Sequence, residues 1–238
     1  MESQSLNLTG PKLVRALNEE PSLVLSFYSY GVMLRKRINN KVSEYPVDPA
    51  HIVLALSAKV VFDTGLISRQ TILVRQVGAA TTLVEYRAPE ITGLFLEGSE
   101  TPLRIPLPGL VLVRRSDGSN GGTRYALFAV KKRPETLEIP LFHPPLPNVY
   151  QHGDICWGSV KRAPKANTIQ ANSLQSDWTA FLGSPFGNHA VEGKSKSQKR
   201  DIRALLTYLD AEGAKTYPKS DLIPTKQTLG NIVEEISQ

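Results

Sequence analysis

The chain has 238 residues, of which 41% are hydrophobic and 21% are charged, and its formal net charge is +6. This composition is typical of a globular protein and argues against an intrinsically disordered chain. No run approaches the ~20 consecutive apolar residues of a membrane span, and the N-terminus lacks a signal-peptide pattern, so we expect a cytoplasmic protein. We expect a single domain over residues 1–238, with an N-terminal hairpin extension (1–45) and a C-terminal helical part (173–238).

The first predicted elements are a β-hairpin and a helix. Two β-rich runs, 22–29 and 32–38, flank Tyr30-Gly31 and predict the hairpin. Asp48, as an N-cap in front of Pro49, predicts a helix that runs from residue 50 to residue 62 and ends at Gly65.

The middle of the chain predicts an antiparallel meander. Short β-rich runs are separated by proline and glycine residues, and they lie at 71–77, 82–87, 94–97, 110–115 and 124–131. Residues 117–122 have the composition of a hairpin loop. The many prolines between 133 and 148 then predict an extended, irregular segment that does not join a central ladder.

The C-terminal part predicts helices over 173–182, 198–209 and 228–236. In the second helix, Ile202, Leu205, Leu206 and Leu209 form one apolar stripe, which is typical of a core-facing surface. The polar and basic stretch 183–197 between the first two helices is typical of a mobile loop.

Cys156 is the only cysteine, which excludes an intrachain disulfide and a multi-cysteine metal site. A lone cysteine most often packs as a small core residue. Here, however, Asn148 precedes the thiol by eight residues, and the intervening Gly153-Asp154 turn can fold the chain back. The Asn148 amide could then donate a hydrogen bond to an oxyanion formed on a thioester, or it could cap the bend at Pro147 in an Asx turn.

This segment resembles the active-site segment of the ubiquitin-conjugating enzymes, which carries His-Pro-Asn and then Gly-x-Ile-Cys. Pro147-Asn148, Gly153, Ile155 and the spacing to Cys156 coincide with it, whereas Leu146 stands where that family has the histidine. The nearest histidine is His143, three residues earlier.

A longer similarity points to protein B of the bacterial PRTRC cassette, a prokaryotic branch of the conjugating fold. It is carried by Arg133-Pro134-Glu135-Thr136, by the run 141–149 and by the run 153–159. The resemblance implies an α+β ubiquitin-conjugating-like fold with N-terminal strands and a helix, an antiparallel meander, an active-site flap and C-terminal helices. It also implies a carrier or transferase that holds a ubiquitin-like protein as a thioester, with that protein and a ThiF-like activating enzyme as partners.

Thioester transfer also needs a group that takes the proton of the incoming amine. His152 and Asp154 flank the predicted turn, while His189 and Asp177 could reach the thiol only through folding. We rank His189 slightly above His152, because a loop that follows a helix commonly lines a cleft.

Two other functions stay open. Leu146 favours a catalytically inactive scaffold that binds a ubiquitin-like protein. A cysteine hydrolase would combine Cys156 with His189 and with Asn188 or Asp177 in a triad, although it has no local signature. The histidines show no metal-binding spacing, and we expect neither a metal nor a cofactor.

A cluster of basic residues follows Gly193. It predicts a docking surface for an acidic partner, since 192–203 lacks the aromatic residues that nucleic-acid contact would need. The cluster consists of Lys194, Lys196, Lys199, Arg200 and Arg203.

Overall fold

The computed structural model describes residues 23–38, 41–57, 64, 66–78, 80–117, 122–158, 160 and 173–237. The chain forms two compact units, Met1–Asp63 and Thr64–Gln238. The organisation as a single domain stays a prediction.

The first unit contains a three-stranded antiparallel sheet and a helix. Its elements are β1 (Leu23–Tyr28), β2 (Gly31–Ile38), β3 (Lys41–Val47) and α1 (Pro49–Ser57). The predicted hairpin is confirmed, with Tyr28 opposite Gly31. The predicted N-cap is also confirmed, because the Asp48 Oδ1 atom accepts a hydrogen bond of 2.8 Å from the Ala50 N–H. The predicted helix end, at 58–62 and Gly65, lies outside the described residues.

The second unit is built on a six-stranded sheet in the order β11-β10-β9-β8-β5-β4. Its strands are β4 (Thr71–Val77), β5 (Ala80–Arg87), β8 (Gly109–Ser116), β9 (Thr123–Val130), β10 (Pro140–Phe142) and β11 (Pro224–Thr228). Strands β4, β5, β8 and β9 form the predicted antiparallel meander. The tip of the β8–β9 connection, 118–121, lies outside the described residues.

Two strand predictions are wrong. The predicted strand 94–97 is replaced by a separate pair, β6 (Glu90–Leu94) and β7 (Leu103–Leu107), inserted between β5 and β8. Strand β7 was not predicted because Pro106 argues against a strand, although a two-stranded ladder of this length tolerates a proline. The proline-rich segment also joins the main sheet after all, because Phe142 pairs with Ala129 of β9 and Pro140 pairs with Thr228 of β11.

The sheet has an apolar core on each face, because side chains alternate along its strands. On β8, Leu110 and Leu112 belong to one core, whereas Val111 and Val113 belong to the other. The first core is covered by α2 (Gln175–Leu182) and α3 (Ile202–Ala211), and the second by α4 (Leu229–Glu235).

The C-terminal helices lie close to their predicted positions. The predicted α3 stripe is buried, but the helix begins at Ile202 instead of 198, since the Asp201 side chain caps it by accepting from the Arg203 N–H. The prediction of a loose loop at 183–197 is wrong, because Phe186, Lys194 and Ser195 have no exposed surface. None of the helices described is long and apolar enough to cross a membrane.

Candidate functional site

Residues 148–156 fold back on themselves as a tight antiparallel turn, which we call the Cys156 hairpin. The Cys156 N–H donates to the Asn148 carbonyl at 2.8 Å, and the Tyr150 N–H donates to the Asp154 carbonyl at 2.8 Å. Val149 lies opposite Ile155 between these two bonds. The Cys156 thiol is free and partly exposed, and the backbone of Cys156 is paired with that of Asn148. Cys156 follows β10, and β11 comes later in the chain.

The hairpin is attached to β9 through its turn. The Leu127 N–H donates to the Gly153 carbonyl at 2.9 Å, and Ala126 forms a bridge with Asp154. Gly153 has φ +98°, and a Cβ atom at this position would lie 2.3 Å from the Phe128 Cζ atom. Gly153 is therefore required because other residues rarely adopt this backbone conformation and because no side chain fits against Phe128.

Asn148 is held by three contacts in a left-handed backbone conformation with φ 59°. Besides its bond to Cys156, its N–H donates to the His189 carbonyl at 2.8 Å, and its Nδ2 donates to the Pro185 carbonyl at 3.2 Å. Asparagine tolerates this conformation better than most residues. An amide nitrogen carries two hydrogens, so one of them remains for a further acceptor after Pro185 is satisfied.

Three polar side chains of the hairpin form a series of contacts that begins at the thiol. A hydrogen bond to the Cys156 side chain, followed by the charge of the thiolate and by desolvation, raises the pKa of the Tyr150 hydroxyl. The Tyr150 ring stacks on the His152 ring with centroids 5.7 Å apart, and the His152 Nε2 lies 3.1 Å from the Asp154 Oδ2. The contacts thus run from the thiol through Tyr150 to His152 and Asp154.

Tyr150 is the site residue that the sequence reasoning missed. The pairing register of the hairpin could have identified Tyr150. If Asn148 lies opposite Cys156, Tyr150 lies opposite Asp154 and is a diagonal neighbour of Cys156 on the same face.

The residues from the C-terminal part are placed differently. His189 supports Asn148 through its backbone carbonyl, while its imidazole is exposed. Asp177 has no exposed surface, and its two oxygens contact the Arg114 guanidinium at 2.9 Å and the Tyr125 hydroxyl at 3.0 Å. It therefore binds α2 to the sheet, and a triad that uses Asp177 would have to break both contacts.

Trp157 fixes the chain directly after the thiol. Its half-buried ring packs edge-on against Tyr125 and Phe181, with centroid distances of 4.9 Å and 6.1 Å. These aromatic contacts connect the end of the hairpin to the core under α2.

The predicted basic docking surface needs correction. Lys194 has no exposed surface, because its ammonium group donates to the Val149 carbonyl inside the protein. The Arg203 guanidinium contacts the Asp201 carboxylate at 2.7 Å, and Lys196 donates to the Ser220 carbonyl at 2.7 Å. The surface is therefore smaller than the sequence suggests.

These features place the protein in the class of mixed α+β proteins with mostly antiparallel strands, and four helices lie among the described residues. The partly exposed Cys156 lies at the end of a hairpin that follows a proline-rich segment. The model of the family described as Prokaryotic E2 family D matches residues 51–225, and the chain belongs to this family. The matched range begins within α1, contains the whole Cys156 hairpin and ends within β11. No curated protein and no solved structure matches the chain. Membership indicates a ubiquitin-conjugating-like role, with a ubiquitin-like protein and an activating enzyme as partners in general terms.

Proposed function

We propose that this protein accepts a ubiquitin-like protein as a thioester on Cys156 and transfers it to an amine, as protein B of a PRTRC-type cassette. The observation that carries this proposal is the pairing of Asn148 with Cys156 across the hairpin, at 2.8 Å between the Asn148 carbonyl oxygen and the Cys156 nitrogen. This backbone pairing, next to a partly exposed thiol, supports a role for the Asn148 amide as a donor to the acyl oxygen.

Loading begins when the Cys156 thiolate adds to the acyl carbon that the activating enzyme presents. The activator's thiolate leaves, so one thioester replaces another. In the transfer step an amine adds to the Cys156 thioester, a tetrahedral oxyanion forms, and the Cys156 thiolate leaves as the amide forms. The second Nδ2 hydrogen of Asn148 is the donor that we assign to this oxyanion.

The neighbours of the thiol support both steps. The Tyr150 hydroxyl, whose pKa is raised chiefly by its hydrogen bond to the Cys156 side chain, is the donor that we assign to the thiolate that loads and later departs. His152, held 3.1 Å from the Asp154 carboxylate, is the group that we assign to accept the amine proton. His189 stays a second candidate for this role, since its loop contacts Asn148.

The alternative of an inactive scaffold rests on Leu146, which stands in place of the family histidine and has no exposed surface. A scaffold would bind the ubiquitin-like protein without forming a covalent bond to it. The weaker alternative, a cysteine hydrolase, would release the ubiquitin-like protein to water even when no amine is present.

Reconstitution with the cassette's activating enzyme, ATP and ubiquitin-like protein tests the proposal. We expect a reductant-labile adduct in the wild type, a stable ester or no adduct in Cys156→Ser, and normal loading with slow discharge to lysine in Asn148→Ala. Binding without an adduct supports the scaffold, and full activity in Cys156→Ala contradicts the proposal.

A further inference from the structure

A buried lysine donates a hydrogen bond to the backbone of the Cys156 hairpin. Lys194 has no exposed surface, and its ammonium group donates to the carbonyl of Val149, the residue directly after Asn148. A fully buried lysine is rare unless a partner satisfies its charge, and a hydrogen bond from a charged donor is stronger than a neutral one.

His143 is coupled to both Lys194 and the turn of the same hairpin. Burial, and next the Lys194 charge, lower the pKa of the His143 imidazole, whereas an interaction with the Gln151 backbone raises it. His143 is itself tied to the neighbouring chain, because its N–H donates to the Ile223 carbonyl at 2.9 Å. Lys194 therefore binds Val149 in the first arm of the hairpin, and His143 interacts with Gln151 in its turn.

We propose that Lys194 and His143 are positioning residues, which hold the Cys156 hairpin in the register that sets Asn148 opposite the thiol. Asn148 needs such support, since its left-handed backbone with φ 59° is unfavourable for a residue with a side chain.

The role of both residues in transfer rests on the proposed function, whereas their effect on the hairpin does not. The titratable groups near Lys194 are His143, whose pKa responds to the Lys194 charge, and Tyr150 and Glu192, which line the same cavity of about 280 Å³ as Lys194. Burial lowers the pKa of Lys194 to about 8. An opening of the hairpin that exposes Lys194 would return its pKa toward the usual value, so the closed hairpin should become harder to open as the pH rises above about 8.

Amide hydrogen exchange, measured by NMR on the full chain, tests this inference. In Lys194→Met we expect the amides of Asn148, Tyr150 and Cys156 to exchange about tenfold faster or more, because local opening of the hairpin becomes easier. The amides of β8 should not change. In His143→Phe we expect a smaller effect on the same amides.

Lys196→Met is the matched control, because Lys196 lies two residues away and also donates to a carbonyl, that of Ser220. It should leave hairpin exchange as in the wild type. If Lys194→Met does not fold, the wild type carries the test: between about pH 7 and pH 9.5, hairpin amides should gain protection after correction for base catalysis, because opening would expose Lys194 and restore its usual pKa. Equal exchange in Lys194→Met and Lys196→Met, or equal protection at both pH values, overturns the inference.

The two proposals fail separately. Unchanged exchange with a normal thioester on Cys156 refutes the positioning role alone. If Lys194→Met shows faster hairpin exchange but the wild-type protein never forms a thioester, the proposed function alone is refuted.

Discussion

Replacing Gly153 with alanine tests whether the hairpin must lie against Phe128. The new Cβ atom would lie 2.3 Å from the Phe128 Cζ and 2.7 Å from its Cε2, and the backbone has φ +98°. Strain in a sparsely populated backbone region costs about 1–3 kcal/mol, and overpacking a core costs about 1–3 kcal/mol. We therefore expect Gly153→Ala to lower the free energy of unfolding by roughly 2–6 kcal/mol, unless the hairpin lifts off β9.

Gly158→Ala is the control for that substitution. Gly158 also has a positive φ, +53°, but an added Cβ there meets no atom within 4 Å. Only the backbone cost remains, about 1–2 kcal/mol. Urea unfolding monitored by tryptophan fluorescence measures both variants. If Gly153→Ala costs no more than Gly158→Ala and its thiol reacts with iodoacetamide as in the wild type, the described packing of the hairpin is wrong.

The remaining predictions concern the residues around the thiol. Asn148→Ala should lower discharge of the Cys156 thioester by about 100–1,000-fold, the typical loss of one oxyanion donor, and leave loading unchanged in single-turnover assays; an equal loss in both steps would contradict this role. Tyr150→Phe should slow discharge of the Cys156 thioester, because the departing thiolate loses a donor; an unchanged discharge rate refutes this role. Since burial lowers the pKa of Lys194 from 10.5 to about 8, the folded state binds fewer protons between these values, so stability should rise with pH there by up to about 3 kcal/mol. Urea unfolding of Lys194→Met should show no such rise, and a rise equal to that of the wild type would contradict the burial of a titrating lysine.

Local patterns predicted the parts of the fold that local forces determine. The Asp48 N-cap, the meander strands and the α3 stripe follow from capping and from side-chain periodicity, and the structure has each of them. Strand β7 and strand β10 were missed because their prolines argue against strands, whereas short or peripheral ladders tolerate them.

Parts of the site were beyond sequence reasoning because they depend on long-range packing. The spacing of Asn148 and Cys156 predicted their pairing, since eight residues with a Gly153-Asp154 turn suffice for it. By contrast, Lys194 looked like a surface charge, and only the fold shows that it donates to Val149. Its basic neighbours in sequence gave no sign that one of them would be buried.

The most direct test of the central claim is the mass of the wild-type protein after reaction with the cassette's activating enzyme, ATP and ubiquitin-like protein. We expect intact-mass spectrometry to show the sum of the two chains minus one water, an adduct that dithiothreitol removes and that peptide mapping places on Cys156. The same adduct mass in Cys156→Ala, or no adduct while the activating enzyme itself becomes loaded, would contradict the claim that this protein is a thioester carrier.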